Sequence, residues 1–549
     1  MATTDTPRES AERPVDVRET GTAADQRYST DRVVLGVVGV MAIALVVWGA
    51  VATDSLGSIV EASLGWVVDG FGWLFVLAAT GFVLFSLWLA FSRYGQIPLG
   101  RDDEKPEFRT ISWIAMMFSA GMGIGLMFYA VVEPLSHFNA PPPGTTGDPA
   151  SQAMATTLFH WTLHPWAMYA VVGLAIAYST YRRGRRQLLS SAFAPLLGER
   201  RANSGGGKVI DILALFATLF GSAASLGLGA LQIGAGLTET GALSSVGTGM
   251  LVLVIAILTV AFVASAVSGV AKGIQWLANT NMVLAIALAF FIFVVGPTVL
   301  ILNLIPTAVG SYIAELPSMS AMTAASGDAA TAEWLAGWTI FYWAWWVSWT
   351  PFVGMFIARI SRARTIRQFV LGVIAVPSLV SLVWFAIFGG SAISEQQAGS
   401  DIVGDGALET QLFGLLEQFP LTTVTSILVM VLVAIFFVSG ADAASMVMGT
   451  LSQRGTQRPT RQVVIFWGVL TGAVAALMLL LGGGEALAGL QQLTILAAFP
   501  FILVMVALCV SLAKDLRSDP LIADQESMRR RMAEATADLE RARERGRGA

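Results

Sequence analysis

The residues with the most distinctive chemistry lie in one stretch: Trp338-Thr339-Ile340-Phe341-Tyr342-Trp343-Ala344-Trp345-Trp346-Val347-Ser348-Trp349-Thr350-Pro351-Phe352. Its five tryptophans, between 338 and 349, cover more than three turns of a helix. Interfacial aromatics gather at the ends of membrane spans instead. Indole is the strongest cation–π surface among side chains, and aromatic cages are the usual way to hold a quaternary ammonium group. The competing reading is bulky packing against neighbouring helices.

A second stretch supplies another wall: His160-Trp161-Thr162-Leu163-His164-Pro165-Trp166-Ala167-Met168-Tyr169. On an ideal helix Trp161, Trp166 and Tyr169 fall within about 140° of one another. Pro165 is expected to bend the helix and tighten that arc. His160 and His164 stand four residues apart on one face. They are expected to be hydrogen-bonded structural groups rather than metal ligands, because no carboxylate or thiolate accompanies them. A third stretch, Ser119-Ala120-Gly121-Met122-Gly123-Ile124-Gly125, puts glycine at every second position. Each glycine costs a helix about 1 kcal/mol relative to alanine. The spacing fits close helix packing, or an unwound segment whose free backbone groups face a ligand.

These stretches need a frame. The chain has 549 residues, 55% hydrophobic and only 13% charged, about half the charge of a soluble domain. That excludes a soluble enzyme, a disordered chain and a nucleic-acid binder. Apolar runs long enough to cross a bilayer recur along the sequence, so an all-α polytopic membrane protein is expected. A membrane β-barrel would show short alternating segments instead. Twelve spans are read, near 34–53, 71–92, 111–132, 155–180, 209–234, 248–270, 276–303, 334–358, 366–390, 422–441, 462–482 and 488–512. With both termini cytoplasmic, all 33 Lys and Arg residues fall on one side, as the positive-inside rule requires. Two of these spans are expected to be interrupted, the glycine-rich third and the aromatic eighth. The single cysteine, Cys509, makes no intramolecular disulfide and reads as packing.

The expected organisation is a cytoplasmic tail at 1–33, two peripheral helices and a loop at 34–110, a first helical unit at 111–303, an outer connection at 304–333, a second unit at 334–512 and a charged cytoplasmic tail at 513–549. Within the outer connection, Ile305–Leu316 reads as an amphipathic helix on the outer surface. The C-terminal tail reads as a charged helix, either simply solvated or sensitive to anionic lipid. Glu133 and Asp211 at span ends and Asp442 just past the tenth span read equally as caps or as proton relays.

The sequence resembles the betaine–carnitine–choline transporter (BCCT) family. The resemblance rests on SAGMGIGLMFY…EPLSH at 119–137, HWTLHPWAMYA at 160–170, ATLFGSAASLGLGALQ at 217–232 and FYWAWWVSWTPFVGMFIARISRARTIRQF at 341–369. It covers all twelve expected spans. It implies a LeuT-type fold of two inverted five-helix repeats, spans 3–7 and 8–12, with two extra N-terminal helices. No enzyme activity, cofactor or nucleic acid is implied. By motif position, Trp161, Trp166, Tyr169 and Trp346 would hold the trimethylammonium group. Trp349 and Phe352 would line an inward path or hold a second pose, Trp345 would line an outward path, and Phe341 is a further substrate-binding candidate. Met122, Gly123 and Gly125 would lie beside the cage.

Choline-selective relatives tend to carry aspartate where this chain has Gly125, so the resemblance points to a zwitterion, with glycine betaine favoured. Secondary uptake at the plasma (inner) membrane by Na+ symport and alternating access is expected. The alternatives are a Na+-independent exchanger or a proton-coupled carrier for choline, carnitine or ectoine. One Na+ set would be Thr218, Ser222 and Phe352. A second would use Ser119, Met122, Phe436 and Ser439, with one hydroxyl missing because residue 440 is glycine. Family members often form homotrimers, and lipid surrounds the spans.

Overall fold

The computed structural model describes residues 30–547 apart from 122, 269–270, 405 and 484, with side chains at 118–121, 267–278, 526, 529 and 538–547 also outside the description. Among the described residues the structure is helical, with one isolated bridge between Pro98 and Thr365. The first half runs α1 (Arg32–Val51), α2 (Thr53–Phe91), α3 (Thr110–Gly121), α4 (Ile124–Asn139), α5 (Pro149–Trp161), α6 (Leu163–Ala177), α7 (Ala194–Leu197), α8 (Glu199–Ala202), α9 (Gly205–Glu239), α10 (Thr248–Ser268) and α11 (Ala271–Val295). The second half runs α12 (Thr298–Ala321), α13 (Ala329–Leu335), α14 (Phe341–Ile360), α15 (Ile366–Gln397), α16 (Gln411–Glu417), α17 (Thr422–Ser452), α18 (Arg461–Gly482), α19 (Ala486–Arg517) and α20 (Pro520–Arg547).

Nine of these helices are long and apolar enough to cross a bilayer. Eight match expected spans, and the ninth is Thr298–Ala321. The expected spans at 111–132 and 155–180 are each split into two shorter helices. The surface helix expected at 305–316 is part of continuous α12, whose start at Thr298 follows the Gly296-Pro297 break. The outer connection expected before residue 71 is instead helical: α2 begins at Thr53, with only Ala52 between it and the end of α1. Ile257, Val260, Phe290, Val299 and Leu379 each expose more than half their surface. Large apolar side chains spread over the outside in this way suit a lipid solvent.

The interior is set by α4, α5, α6, α9, α14, α15, α17 and α19, which pack on one another. Small residues set the closest approaches. A Cβ on Gly354 of α14 would lie 3.0 Å from the Gly173 nitrogen on α6. One on Gly173 would lie 3.2 Å from the Gly354 carbonyl oxygen. The two backbones meet there with no side chain between them.

On the arginine-bearing face the chain end is tied down. Arg182 grips Asp519 through two nitrogens, both at 2.9 Å, and reaches Asp102 at 2.5 Å. Arg183 and Arg185 bind Asp515 at 3.0 and 2.5 Å. Burial by itself pushes the Asp519 carboxyl up, but hydrogen bonds from Arg182 and Tyr178 hold it below the usual carboxylate range. The hydrogen bond to Asp519 raises the Arg182 guanidinium above its ordinary value despite partial burial.

Candidate substrate site

The glycine stretch breaks the third expected span. α3 ends at Gly121 and α4 begins at Ile124, with Gly123 extended between them at φ −168°, ψ −178°. A second break lies at Thr162, φ −119°, ψ −105°, between α5 and α6. Pro165 is the third residue of α6, and its ring excludes the carbonyl of Trp161 four residues earlier from a helical position. The helix therefore ends ahead of the proline instead of bending through it. His160 and His164 thus sit on different helices and diverge. His164 stacks on Trp343 at 5.1 Å, and its Nε2 lies 3.5 Å from the Ser320 hydroxyl.

The eighth expected span is not unwound. It opens with a π-helical turn, Ala336–Ile340, and continues as α14 through Pro351. A wider turn shifts the register of the side chains that follow it. Trp345 and Trp346 stack at 4.8 Å with an interplanar angle of 14°.

Both breaks and α14 meet around one cavity. It is lined by Gly123, Gly125, Leu126, Trp161, Pro165, Trp166, Tyr169, Trp345, Trp346, Trp349 and Ser381, and the space, counting its mouth, is about 480 Å³. Trp161 stands edge-on to Trp346 at 4.9 Å and 76°. Tyr169 stands edge-on to Trp346 at 6.3 Å and to Trp166 at 5.1 Å. The walls are held by hydrogen bonds to backbone: the Trp346 N–H donates to the His160 carbonyl at 2.9 Å, and the Trp349 N–H to the Gly221 carbonyl at 2.8 Å. Trp345 is buried, and its N–H finds no acceptor among the described residues.

Of the residues expected at the site, eight line this cavity: Trp161, Trp166, Tyr169, Trp345, Trp346, Trp349, Gly123 and Gly125. Phe341 does not; it stacks behind Trp345 at 5.7 Å. Met122 lies outside the described residues. Leu126, Pro165 and Ser381 were not expected. Gly125 has a steric role: a Cβ there would collide with the Trp345 ring and approach Trp161 at 3.2 Å.

The largest addition is Glu133. The expected span ended one residue short of it, yet it is fully buried. Its Oε2 accepts from the Trp161 N–H and the Tyr342 O–H, both at 2.5 Å, and its Oε1 lies 2.6 Å from His160 Nδ1. His137 Nε2 stands 3.5 Å from the same oxygen. A carboxylate therefore does accompany His160, contrary to the expectation, but it arrives from another helix. Glu133, His137 and His160 offer ligand atoms within 4.8 Å of one another, as a metal centre would. Three N–H and O–H donors already occupy the carboxylate, so an ion is not needed to satisfy it. The signal available in the sequence was an ionisable residue amid apolar ones, which in a membrane protein is a functional candidate by default.

Candidate Na+ ligands divide into two groups. Gly221 abuts Ser348 and Trp349, so α9 and α14 cross there, and Thr218, Ser222 and Phe352 lie within a turn of that crossing. The Thr218 hydroxyl donates to the Ala214 carbonyl at 2.8 Å, which leaves its oxygen lone pairs free for a cation. For the second set, the Ser119 side chain and Met122 lie outside the described residues. Ser439 donates to its own helix, to the Ile435 carbonyl at 2.8 Å. A Cβ on Gly440 would meet nothing within 4 Å.

Residues 33–521 match the family model described as BCCT, betaine/carnitine/choline family transporter. The chain is 45% identical over 503 residues to the betaine/ectoine transporter LcoP of Corynebacterium glutamicum, covering 91% of this chain and 80% of that one. It is 47% identical over 479 residues to the glycine betaine transporter OpuD of Bacillus subtilis, covering 87% and 92%. It is 41% identical over 500 residues to a probable glycine betaine transporter of Desulfitobacterium hafniense, covering 90% and 99%. An all-helical membrane frame, an aromatic-walled cavity at two helix breaks and a family match across nearly the whole chain lead to one assignment: this protein belongs to the betaine/carnitine/choline family of transporters.

Proposed function

We propose that this transporter takes up a trimethylammonium zwitterion, glycine betaine foremost, by Na+ symport with alternating access. The observation that carries the substrate class is the cavity wall of Trp161, Trp166, Tyr169 and Trp346. Ring faces and edges from two helix systems surround a space without an aspartate or glutamate among its lining residues, as suits a ligand that brings its own carboxylate. The unpartnered Trp345 N–H is a donor for that carboxylate. The names of the similar transporters, which handle betaine and ectoine, support the same class. The fold we infer is twelve spans in two inverted five-helix repeats, with the broken helices α3–α4 leading the first. The one-sided arginines support cytoplasmic termini.

Na+ coupling is supported by the hydroxyls of Thr218 and Ser222 at the α9–α14 crossing, next to the Trp349 wall. The test is uptake of labelled glycine betaine into proteoliposomes under an inward Na+ gradient, against K+ replacement. Accumulation above equilibrium only with the Na+ gradient is expected. Equal uptake in K+ would overturn the coupling, and no saturable betaine uptake would overturn the substrate.

A further inference from the structure

Glu133 touches no part of the cavity, yet it is bonded to one of its walls, Trp161, and to Tyr342, which backs a second wall, Trp346. Trp161, an edge-on wall, donates its indole N–H to Oε2. Tyr342 donates to the same oxygen and stacks on Trp346 at 5.9 Å and 20°. Two histidines face the other oxygen: His160 Nδ1 is 2.6 Å from Oε1, with its Nε2 3.0 Å from the Thr339 hydroxyl, and His137 Nε2 is 3.5 Å from Oε1. An indole N–H can only donate, so Oε2 must accept. With the Thr339 hydroxyl donating to Nε2, a neutral imidazole with its proton on Nδ1 donates to Oε1, and Trp161, Tyr342 and His160 are all paired with the carboxylate. In that arrangement the carboxylate is ionised and, with both imidazoles neutral, leaves one negative charge behind the cage.

Such a charge does two things. It fixes the orientation of the Trp161 wall, and of the Tyr342 ring behind Trp346, through charge-assisted hydrogen bonds. It also draws the N–H and O–H protons toward itself, which leaves the attached rings richer in electrons on their faces. Cation–π attraction follows the negative potential of the ring face. In a desolvated site the charge acts on the ligand directly as well.

We propose that Glu133 is a positioning residue that tunes the cage: it sets how strongly the aromatic walls prefer a quaternary ammonium head over an uncharged head of the same shape. This rests on the trimethylammonium reading above. A purely structural Glu133 would support all ligands of that shape alike.

The test uses purified full-length protein in lipid nanodiscs. Kd is measured for glycine betaine by tryptophan fluorescence, and for 3,3-dimethylbutanoate by competition. That anion replaces the ammonium nitrogen with carbon and keeps the shape. Glu133→Gln should weaken betaine by about fivefold to tenfold while leaving the isostere unchanged or tighter, since a repelling charge has gone. Glu133→Asp keeps the charge and should recover most of the betaine-to-isostere ratio. Equal weakening of both ligands by Glu133→Gln would overturn the proposal. Should that variant fail to fold, Tyr342→Phe carries the test. It removes one of the two donors through which the carboxylate acts on the rings, so the preference for betaine over the isostere should fall about twofold, and an unchanged preference would overturn the proposal. A wild type that binds no betaine would instead defeat the substrate reading.

Discussion

Trp346 and His160 are joined side chain to backbone: the indole N–H of α14 donates to the last-turn carbonyl of α5 at 2.9 Å. That carbonyl lies beside the break at Thr162, where the helix leaves acceptors unfilled. The cage wall therefore also caps a helix end.

Replacing Trp346 with leucine removes a cation–π face and uncaps that carbonyl. The cation–π part alone costs roughly 1–2 kcal/mol, or about 5–30-fold in betaine affinity. Half-saturation for uptake should rise by at least that factor at normal membrane expression. An unchanged value would reduce the Trp row to packing.

Gly125 sets the distance between α4 and Trp345, because a methyl group there would collide with the indole. Gly125→Ala should weaken betaine binding about tenfold or more, in the range that overpacking reaches. Trp345→Phe in the same chain should restore part of the loss. An aspartate at 125 must displace Trp345 before its charge can act. Choline uptake should rise relative to betaine only when Gly125→Asp is combined with Trp345→Phe, and substrate competition assays check this.

Removing the hydroxyls of Thr218 and Ser222 should raise the Na+ concentration for half-maximal uptake, since each lost oxygen ligand costs on the order of 1–3 kcal/mol. Betaine affinity at fixed low Na+ should fall with it, because the two bindings are linked. Gly440→Ser fits open space. It should lower the Na+ requirement if a second ion set operates on α17. Na+ titrations of uptake separate these outcomes.

The Arg182–Asp519 tie should not respond to pH near neutrality. The Asp519 carboxyl is lowered in the folded protein. Its contribution is therefore fully present above the unfolded value near pH 4 and is lost as pH falls through the lower folded value. Tryptic cleavage of α20 in purified protein should proceed at one rate between about pH 6 and 8 once corrected for trypsin's own pH profile. Asp519→Asn should speed it several-fold across that range. Cleavage that follows pH in the wild type would mean another group controls the tail.

Much of this site is legible in local sequence because the residue types carry it. Five tryptophans in α14 and glycines at 121, 123 and 125 have few other uses at those spacings. The break at Thr162 is less legible, because a proline disrupts the turn before it and a bend is the other outcome. Glu133 is not legible as a cage residue at all. Its partners Trp161 and Tyr342 lie 28 and 209 positions away, and no periodicity links them. The third and fourth expected spans are each built of two helices too short to mark a crossing singly.

The Gly173–Gly354 contact has a kinetic consequence. Near the arginine-bearing end of α6 and α14, main chain meets main chain at this seam, with the Val172 and Phe369 side chains alongside. A gate built from side chains can flicker through rotamer changes in picoseconds to nanoseconds, whereas sliding whole helices takes microseconds to milliseconds. Gly173 and Gly354 have no rotamer to change, so the contact between them has no fast leak of its own. It opens only when the helices themselves part.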